Sequence, residues 1–282
     1  MATTTTFYTT PIMIDAVVDS ATTNSADAIA NLIDQNLDTS WTPAGTTNQL
    51  IVMDTQSVTT PSPLPSPPPS PTIGVSGVAI WFQNNSVDFS VATGTGLNFT
   101  VVHRDDPSQS YISTGTHNVI AQSGNLYIHT FTEAFARYWA ITFAGLAGGT
   151  LPIISQIAYI STRTLNARPE FPKRDEPQFS NNVANLTGGR KRVSSQALNP
   201  QEIFNQNFTL INDTEKTTLE NVYKDSQGSL LPFIYQEGTT VDEAFVCRLQ
   251  QEKPDIQEID FAYHKANMKF EQIPYILEGE TL

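Results

Sequence analysis

Asp34-Gln35-Asn36-Leu37-Asp38-Thr39-Ser40-Trp41, followed by Asn48-Gln49-Leu50-Ile51-Val52-Met53-Asp54, decides how the first half of this chain is read. Asp and Asn side chains bond their own backbone, so the polar octet predicts a tight turn. Trp41 supplies a large apolar anchor behind it. Leu50, Val52 and Asp54 then alternate as a half-buried strand does. On these grounds the stretch is a loop feeding a β-sandwich.

The segments around it have the same texture. In Gly77-Val78-Ala79-Ile80-Trp81-Phe82, Val78, Ile80 and Phe82 share one face and leave Trp81 on the other. An exposed Trp81 is a candidate contact for a ligand or a subunit; the alternative is that a loop or the polyproline run covers it. Asn98 to His103 forms another strand, turned by Arg104-Asp105-Asp106-Pro107. Trp139, Ile141 and Phe143 alternate and are expected in the core. Residues 59–72 contain seven prolines, lack backbone donors and favour extended polyproline II. Strands resume at Gly77, so this run is expected to be a loop inserted within one domain. Ser25 caps one or two helical turns before the octet, and the Thr-rich residues 1–10 form a loose arm or an edge strand.

Four of these segments, in this order, resemble the discoidin or coagulation-factor C-type domain, an eight-stranded jelly roll of the galactose-binding-like superfamily. They are the Asp34–Trp41 turn with its Gln49-Leu50 strand, Gly77–Phe82, Ala136-Arg137-Tyr138-Trp139-Ala140-Ile141, and Ile154-Ser155-Gln156-Ile157-Ala158-Tyr159. The resemblance covers roughly residues 10 to 162. It implies a jelly-roll β-sandwich over residues 1–162 and glycan recognition through loops at one end of the barrel. Arg104, Asp105, Asp106 and Tyr111 lie in such a loop, and a plain turn is the alternative reading of them. The family's Asp-turn often holds a structural calcium. Asp34, Asn36 and Thr39 match that turn, whereas the late Glu of the calcium shell is replaced by Gln156, a weaker neutral donor.

Composition limits the alternatives. A chain of 282 residues has room for about two domains, and 39% hydrophobic residues with 10% aromatics fill a core. Only 15% of residues are charged, and the abundance of Thr favours strands. Residues 1–160 hold two bases, Arg104 and Arg137, against ten acids, a net charge of −8. Residues 161–282 hold thirteen bases against eighteen acids, a net charge of −5. Such a chain has no phosphate-tracking surface, which argues against nucleic-acid binding. The basic run Arg190-Lys191-Arg192 is expected to be a solvated turn after Gly188-Gly189. Cys247 is the single cysteine, placed by alternation with Phe245 and Leu249 as core packing, and no disulfide forms within the chain. The Thr-rich start lacks a signal peptide's basic and apolar regions, and no window has the length of a membrane span.

From Arg163 the texture changes to a charged, Pro-rich stretch, so a second domain is expected over 163–282. It holds one helix at about 213–226. Asn212-Asp213-Thr214-Glu215 offers a capping box, Leu219, Val222 and Tyr223 form the apolar stripe, and Gly228 stands beyond the end. Strands are expected at Phe204–Ile211, Leu230–Tyr235, Ala244–Leu249 and Gln257–Tyr263. The fold class is therefore mainly β: a jelly-roll sandwich followed by a small antiparallel β-domain with one helix. The order of the second domain resembles the β-domain of tail-tip, distal-tail and baseplate proteins of long-tailed bacteriophages. Gly188-Gly189-Arg190, Phe204, Phe208, Gly228, Pro232-Phe233 and Phe245-Val246-Cys247-Arg248-Leu249 carry that resemblance.

Catalysis has little support. No nucleophile elbow or phosphate loop occurs, and the four histidines lack zinc spacing. The resemblances imply a structural protein of a virion tail, made in the host cytoplasm. Other tail or baseplate proteins would be its partners, and a homo-oligomeric ring its assembled form. The jelly roll would be free to meet a host-surface glycan. The alternative is a carbohydrate-binding adhesin module.

Overall fold

The computed structural model describes residues 5–9, 16–20, 29–32, 39–42, 49–54, 74–82, 98–106, 108–118, 126–144, 153–167, 169, 181–186, 190–195, 203–237 and 244–273. The protein is mainly β, as its alternation predicts, and folds as two compact units. One is Pro11–Thr162; the other joins Met1–Thr10 to Arg163–Leu282. The first strand, β1 (Thr5–Thr9), therefore belongs to the second unit.

The sandwich unit contains β2 (Ala16–Ser20), β3 (Gln49–Asp54), β4 (Val75–Phe82), β5 (Asn98–Arg104), β6 (Ile112–Asn118), β7 (Leu126–Ala134), β8 (Tyr138–Ala144) and β9, which starts at Ile154. β2, β3, β8, β5 and β6 form one antiparallel sheet in that order, and β4 lies between β7 and β9 in the other. Alternating residues from both sheets close the core. Ile51, Met53, Phe99, Val101, Trp139, Ile141 and Phe143 meet Val78, Ile80, Phe82, Tyr127, Ile157 and Tyr159. The phase of β3 differs from the expected one: Ile51 and Met53 enter the core, while Leu50 is half-buried and Val52 is covered on the opposite face. Both faces of β3 are apolar, so period alone did not select the inner one. Trp41 is buried as an anchor and bridges the sheet, its N–H donating to the Ile154 carbonyl at 2.8 Å and its carbonyl accepting from Ile154 N–H at 2.9 Å. The polyproline run 59–72 and Ser25 lie outside the described residues. The 3-10 turn Ile29–Leu32 stands just before the octet.

The second unit contains β1, β10 (Asn181–Leu186), β11 (Arg190–Ser195), β12 (Ile203–Asn212), α1 (Asp213–Asp225), β13 (Phe233–Glu237), β14 (Ala244–Leu249), β15 (Asp255–Asp260) and β16 (Tyr263–Gln272). β13 pairs with β1 and β14, β16 with β14 and β12, and β15 adds to β16. β10 and β11 form a separate two-stranded ribbon. Three expectations are corrected here. Residues 5–9, expected as a loose arm or an edge strand, are a strand buried along its whole length, because Phe7 packs against Phe233, Tyr235 and Phe270. Arg190-Lys191-Arg192 lies in β11, where Arg190 registers with Leu186 across the ribbon, so the run is strand and not turn. The strand expected at Gln257–Tyr263 ends at Asp260, and a new strand starts at Tyr263 after a two-residue turn.

The helix follows its local signals. Glu215 N–H donates to Asn212 Oδ1 at 3.0 Å, and Asn212 N–H donates to Glu215 Oε2 at 3.1 Å, closing the capping box. Leu219, Val222 and Tyr223 are buried on one stripe. The helix closes beyond Ser226 with two left-handed residues, Gln227 (φ 49°) and Gly228 (φ 66°), whose N–H groups donate to the Lys224 carbonyl at 3.1 Å and the Tyr223 carbonyl at 2.9 Å. Replacing Asn212 by Ala should cost about 1 kcal/mol of unfolding free energy, because the Glu215 N–H loses its side-chain acceptor. Urea unfolding followed by circular dichroism measures it, and an unchanged midpoint would mean that the cap contributes nothing. Cys247 is buried in this unit's core beside Leu249.

Candidate functional site at one end of the sandwich

β5 ends at Arg104 and β8 begins at Tyr138, and these two residues are opposite each other in register. The β5–β6 loop and the β7–β8 turn therefore leave from the same end of the sandwich. The loop carries Asp105, Asp106 and Tyr111; the turn carries Phe135 and Arg137. The Arg104 guanidinium carbon sits 4.2 Å from the centroid of the Tyr111 ring and 5.8 Å from that of Tyr138. Arg137 reaches the Tyr138 ring too, at 4.8 Å. A cation over an aromatic face is held by the ring quadrupole, so the four side chains form an alternating ladder.

The loop has an internal frame. Asp106 Oδ1 accepts from the Ser108 N–H at 2.8 Å and from its hydroxyl at 2.6 Å, and the Asp106 carbonyl accepts from Gln109 N–H at 3.0 Å. Arg104 Nη1 donates to the Gln109 carbonyl at 3.4 Å. The Ser108 hydrogen bonds hold the Asp106 carboxyl below its usual range, and the charges of Arg104 and Arg137 add to this. Asp106 is thus committed to shaping the loop, whereas Asp105 is exposed at its rim. Phe135 is 50% exposed, a large aromatic presented to solvent beside Arg137.

Beneath the ladder the core is aromatic. Trp139 packs between His103 at 5.0 Å and Tyr159 at 5.2 Å, and its Nε1 donates to the Ala136 carbonyl at 3.0 Å, tying the turn to the core. Burial lowers the His103 pKa, opposed by Asp105. Burial raises that of Tyr159 well above the ordinary phenol value, with a further contribution from Tyr111. The Tyr159 hydroxyl has no hydrogen-bond partner among the described residues.

Of the candidate residues, Arg104, Asp105, Asp106 and Tyr111 lie together in this loop. Trp81 does not join them. It sits on β4, registers with Leu126 and Gln156, and is buried, so it is corrected from a contact residue to a packing residue. Apolar side chains on both faces of β4 produce this outcome. Phe135, Arg137 and Tyr138 were missed as site residues, although Arg137 is the one other base in residues 1–160.

Asp34 and Asn36 lie outside the described residues. Thr39 is half-buried two residues before the bridge from Trp41 to Ile154, and Gln156 stands two residues beyond that bridge. Among the described residues no group of three or more His, Cys, Asp or Glu side chains converges as a metal cluster. His129 packs on Phe99, and His264 Nε2 meets Asp213 Oδ1 at 2.8 Å. No described helix is long and apolar enough to cross a membrane.

No protein-family model matches the chain, and no curated protein matches it in sequence. Solved structures that resemble part of it include a Ruminococcus gnavus GH29 fucosidase in complex with fucose, at 19% identity and a TM-score of 0.35 over 50% of this chain and 24% of that one. The chain thus spans about a quarter of that enzyme's length. The CBM32 of AlyQ in complex with 4,5-unsaturated mannuronic acid is 25% identical, with a TM-score of 0.34 over 52% of this chain and 95% of that one. CpGH89CBM32-5 from Clostridium perfringens, in complex with GalNAc-beta-1,3-galactose, is 10% identical, with a TM-score of 0.38 over 51% and 93%.

Proposed function

We propose that the sandwich is a discoidin-like carbohydrate-binding module and that its glycan seat is the β5–β6 loop with the β7–β8 turn. One observation carries this: the Tyr111–Arg104–Tyr138–Arg137 ladder shares one end of the sandwich with a half-exposed Phe135 and an exposed Asp105. A sugar ring has an apolar C–H face that suits an aromatic platform. Its hydroxyls suit a carboxylate acceptor and guanidinium donors, and few well-placed polar groups are enough to orient a ligand.

The test is titration calorimetry of the full chain with glycans selected from an array. Phe135→Ala and Tyr111→Ala should each weaken binding about tenfold or more, the cost of roughly 1.4 kcal/mol per decade. Their melting temperatures should stay close to that of the parent. A chain that binds no glycan on the array would overturn the proposal.

A second reading concerns the C-terminal unit, as an assembling part of a bacteriophage tail tip or baseplate. The observation favouring it is the β15–β16 turn, where Phe261 is 90% exposed and Ile259 and Tyr263 are each about half exposed. The two readings are compatible, since the module would then be the attachment face of a virion. Light scattering reports on assembly: a closed multimer supports this reading, and a monomer weakens it. Structural calcium at Asp34, Asn36 and Thr39 is a separate proposal, tested by whether calcium raises the melting temperature.

A further inference from the structure

The β5–β6 seat gathers a scarce resource. Between Pro11 and Thr162 the chain has only two basic residues, Arg104 and Arg137, against ten acids. They are 33 positions apart in sequence and on different strands or turns, yet both guanidiniums lie on the one Tyr138 ring. Both charges also help to hold the Asp106 carboxyl below its usual range. A neutral sugar needs donors, which Ser, Asn or Gln supply without charge, and this unit is rich in such residues. Convergence of its full complement of cations at one seat is a feature that a neutral ligand leaves unexplained.

We infer that the glycan taken by this seat carries a carboxylate, as uronic-acid and other acidic saccharides do, and that Arg137 with Arg104 reads that group. This rests on the carbohydrate reading above and adds the ligand's charge to it. A guanidinium carries its N–H donors in its own plane and can meet a planar carboxylate through two parallel hydrogen bonds. The two acids of the loop then have separate tasks. Asp106 is engaged with Ser108 and frames the loop; Asp105, exposed at the rim, accepts from sugar hydroxyls. Aromatic stacking, hydroxyl recognition and carboxylate recognition thus fall to different residues.

The experiment compares a hexuronic-acid tetrasaccharide with the tetrasaccharide of the corresponding neutral hexose, by calorimetry on the full chain at low and at physiological salt. The acidic probe should bind about tenfold more tightly, the scale of a charge-assisted bidentate pair, and the margin should narrow as salt rises. Arg137→Gln should abolish that margin, bringing affinity for the acidic probe down to that for the neutral one, since the glutamine keeps a donor but no charge. Equal binding of both probes by the parent chain would overturn this inference and leave the glycan seat standing. A preference for the acidic probe that survives Arg137→Gln would overturn it as well, because the carboxylate would then be read elsewhere. Failure to bind either probe or any array glycan would overturn both readings.

Discussion

Deleting residues 1–9 should abolish cooperative unfolding of the C-terminal unit, although those residues precede the other domain in sequence. β1 is buried along its whole length and pairs with β13 from Thr5–Glu237 to Thr9–Phe233. Phe7 is fully buried, with ring centroids 5.9 Å from Phe233, 5.7 Å from Tyr235 and 6.4 Å from Phe270. The Tyr8 hydroxyl donates to Gln236 Oε1 at 2.6 Å. Phe7→Ala alone should cost about 3–5 kcal/mol, by lost transfer energy and the cavity left behind. A domain of this size has about 5–15 kcal/mol in all, so losing the strand with its ladder removes most of it.

The complementary excision should be tolerated. Thr9 Oγ1 donates to Asp225 Oδ2 at 2.9 Å, and Arg163 donates to the same oxygen through Nε and Nη2, each at 3.0 Å. The chain thus leaves this unit and returns to it beside one carboxylate oxygen at the end of α1. A short Gly-Ser linker from Thr10 to Arg163 spans that gap, so a chain lacking residues 11–162 should keep a cooperative transition. Urea unfolding followed by circular dichroism checks both variants. A cooperative transition that survives loss of residues 1–9 would show that β1 is dispensable, contrary to its burial.

Trp139 should show the largest single-residue effect in the sandwich. Its ring is fully buried among His103, Phe131 and Tyr159, so Trp139→Ala should cost about 3–5 kcal/mol. Trp139→Phe separates packing from positioning. It keeps most of the apolar contact but removes the N–H that donates to the Ala136 carbonyl, in the turn that presents Phe135 and Arg137. That change should cost about 1–2 kcal/mol of stability, the loss of one buried hydrogen bond and some ring volume. It should weaken glycan binding about tenfold, because the platform is no longer held. Thermal melting paired with calorimetry distinguishes the two. Full affinity in Trp139→Phe would show that the turn needs no tie to the core.

Much of this protein is legible locally. The period-two run at Ala136–Phe143 identifies a strand and its core face, since side chains alternate across a sheet whatever it pairs with. The capping box at Asn212 and Glu215 marks the helix start because its partners are three residues apart. Where both faces of a strand are apolar, as in β3 and β4, alternation stops discriminating. The buried Trp81 is the consequence.

The sequence by itself determined the β class, the helix at Asp213–Asp225 with its apolar stripe, and the loop of Arg104, Asp105, Asp106 and Tyr111. Only the tertiary structure decided that residues 5–9 complete a domain whose remainder begins at Arg163, and that Arg137 and Phe135 share an end with that loop. Those facts depend on which strands pair and at which ends. Pairing is set by the burial of surfaces distant in sequence, whereas period and capping are set within a few residues.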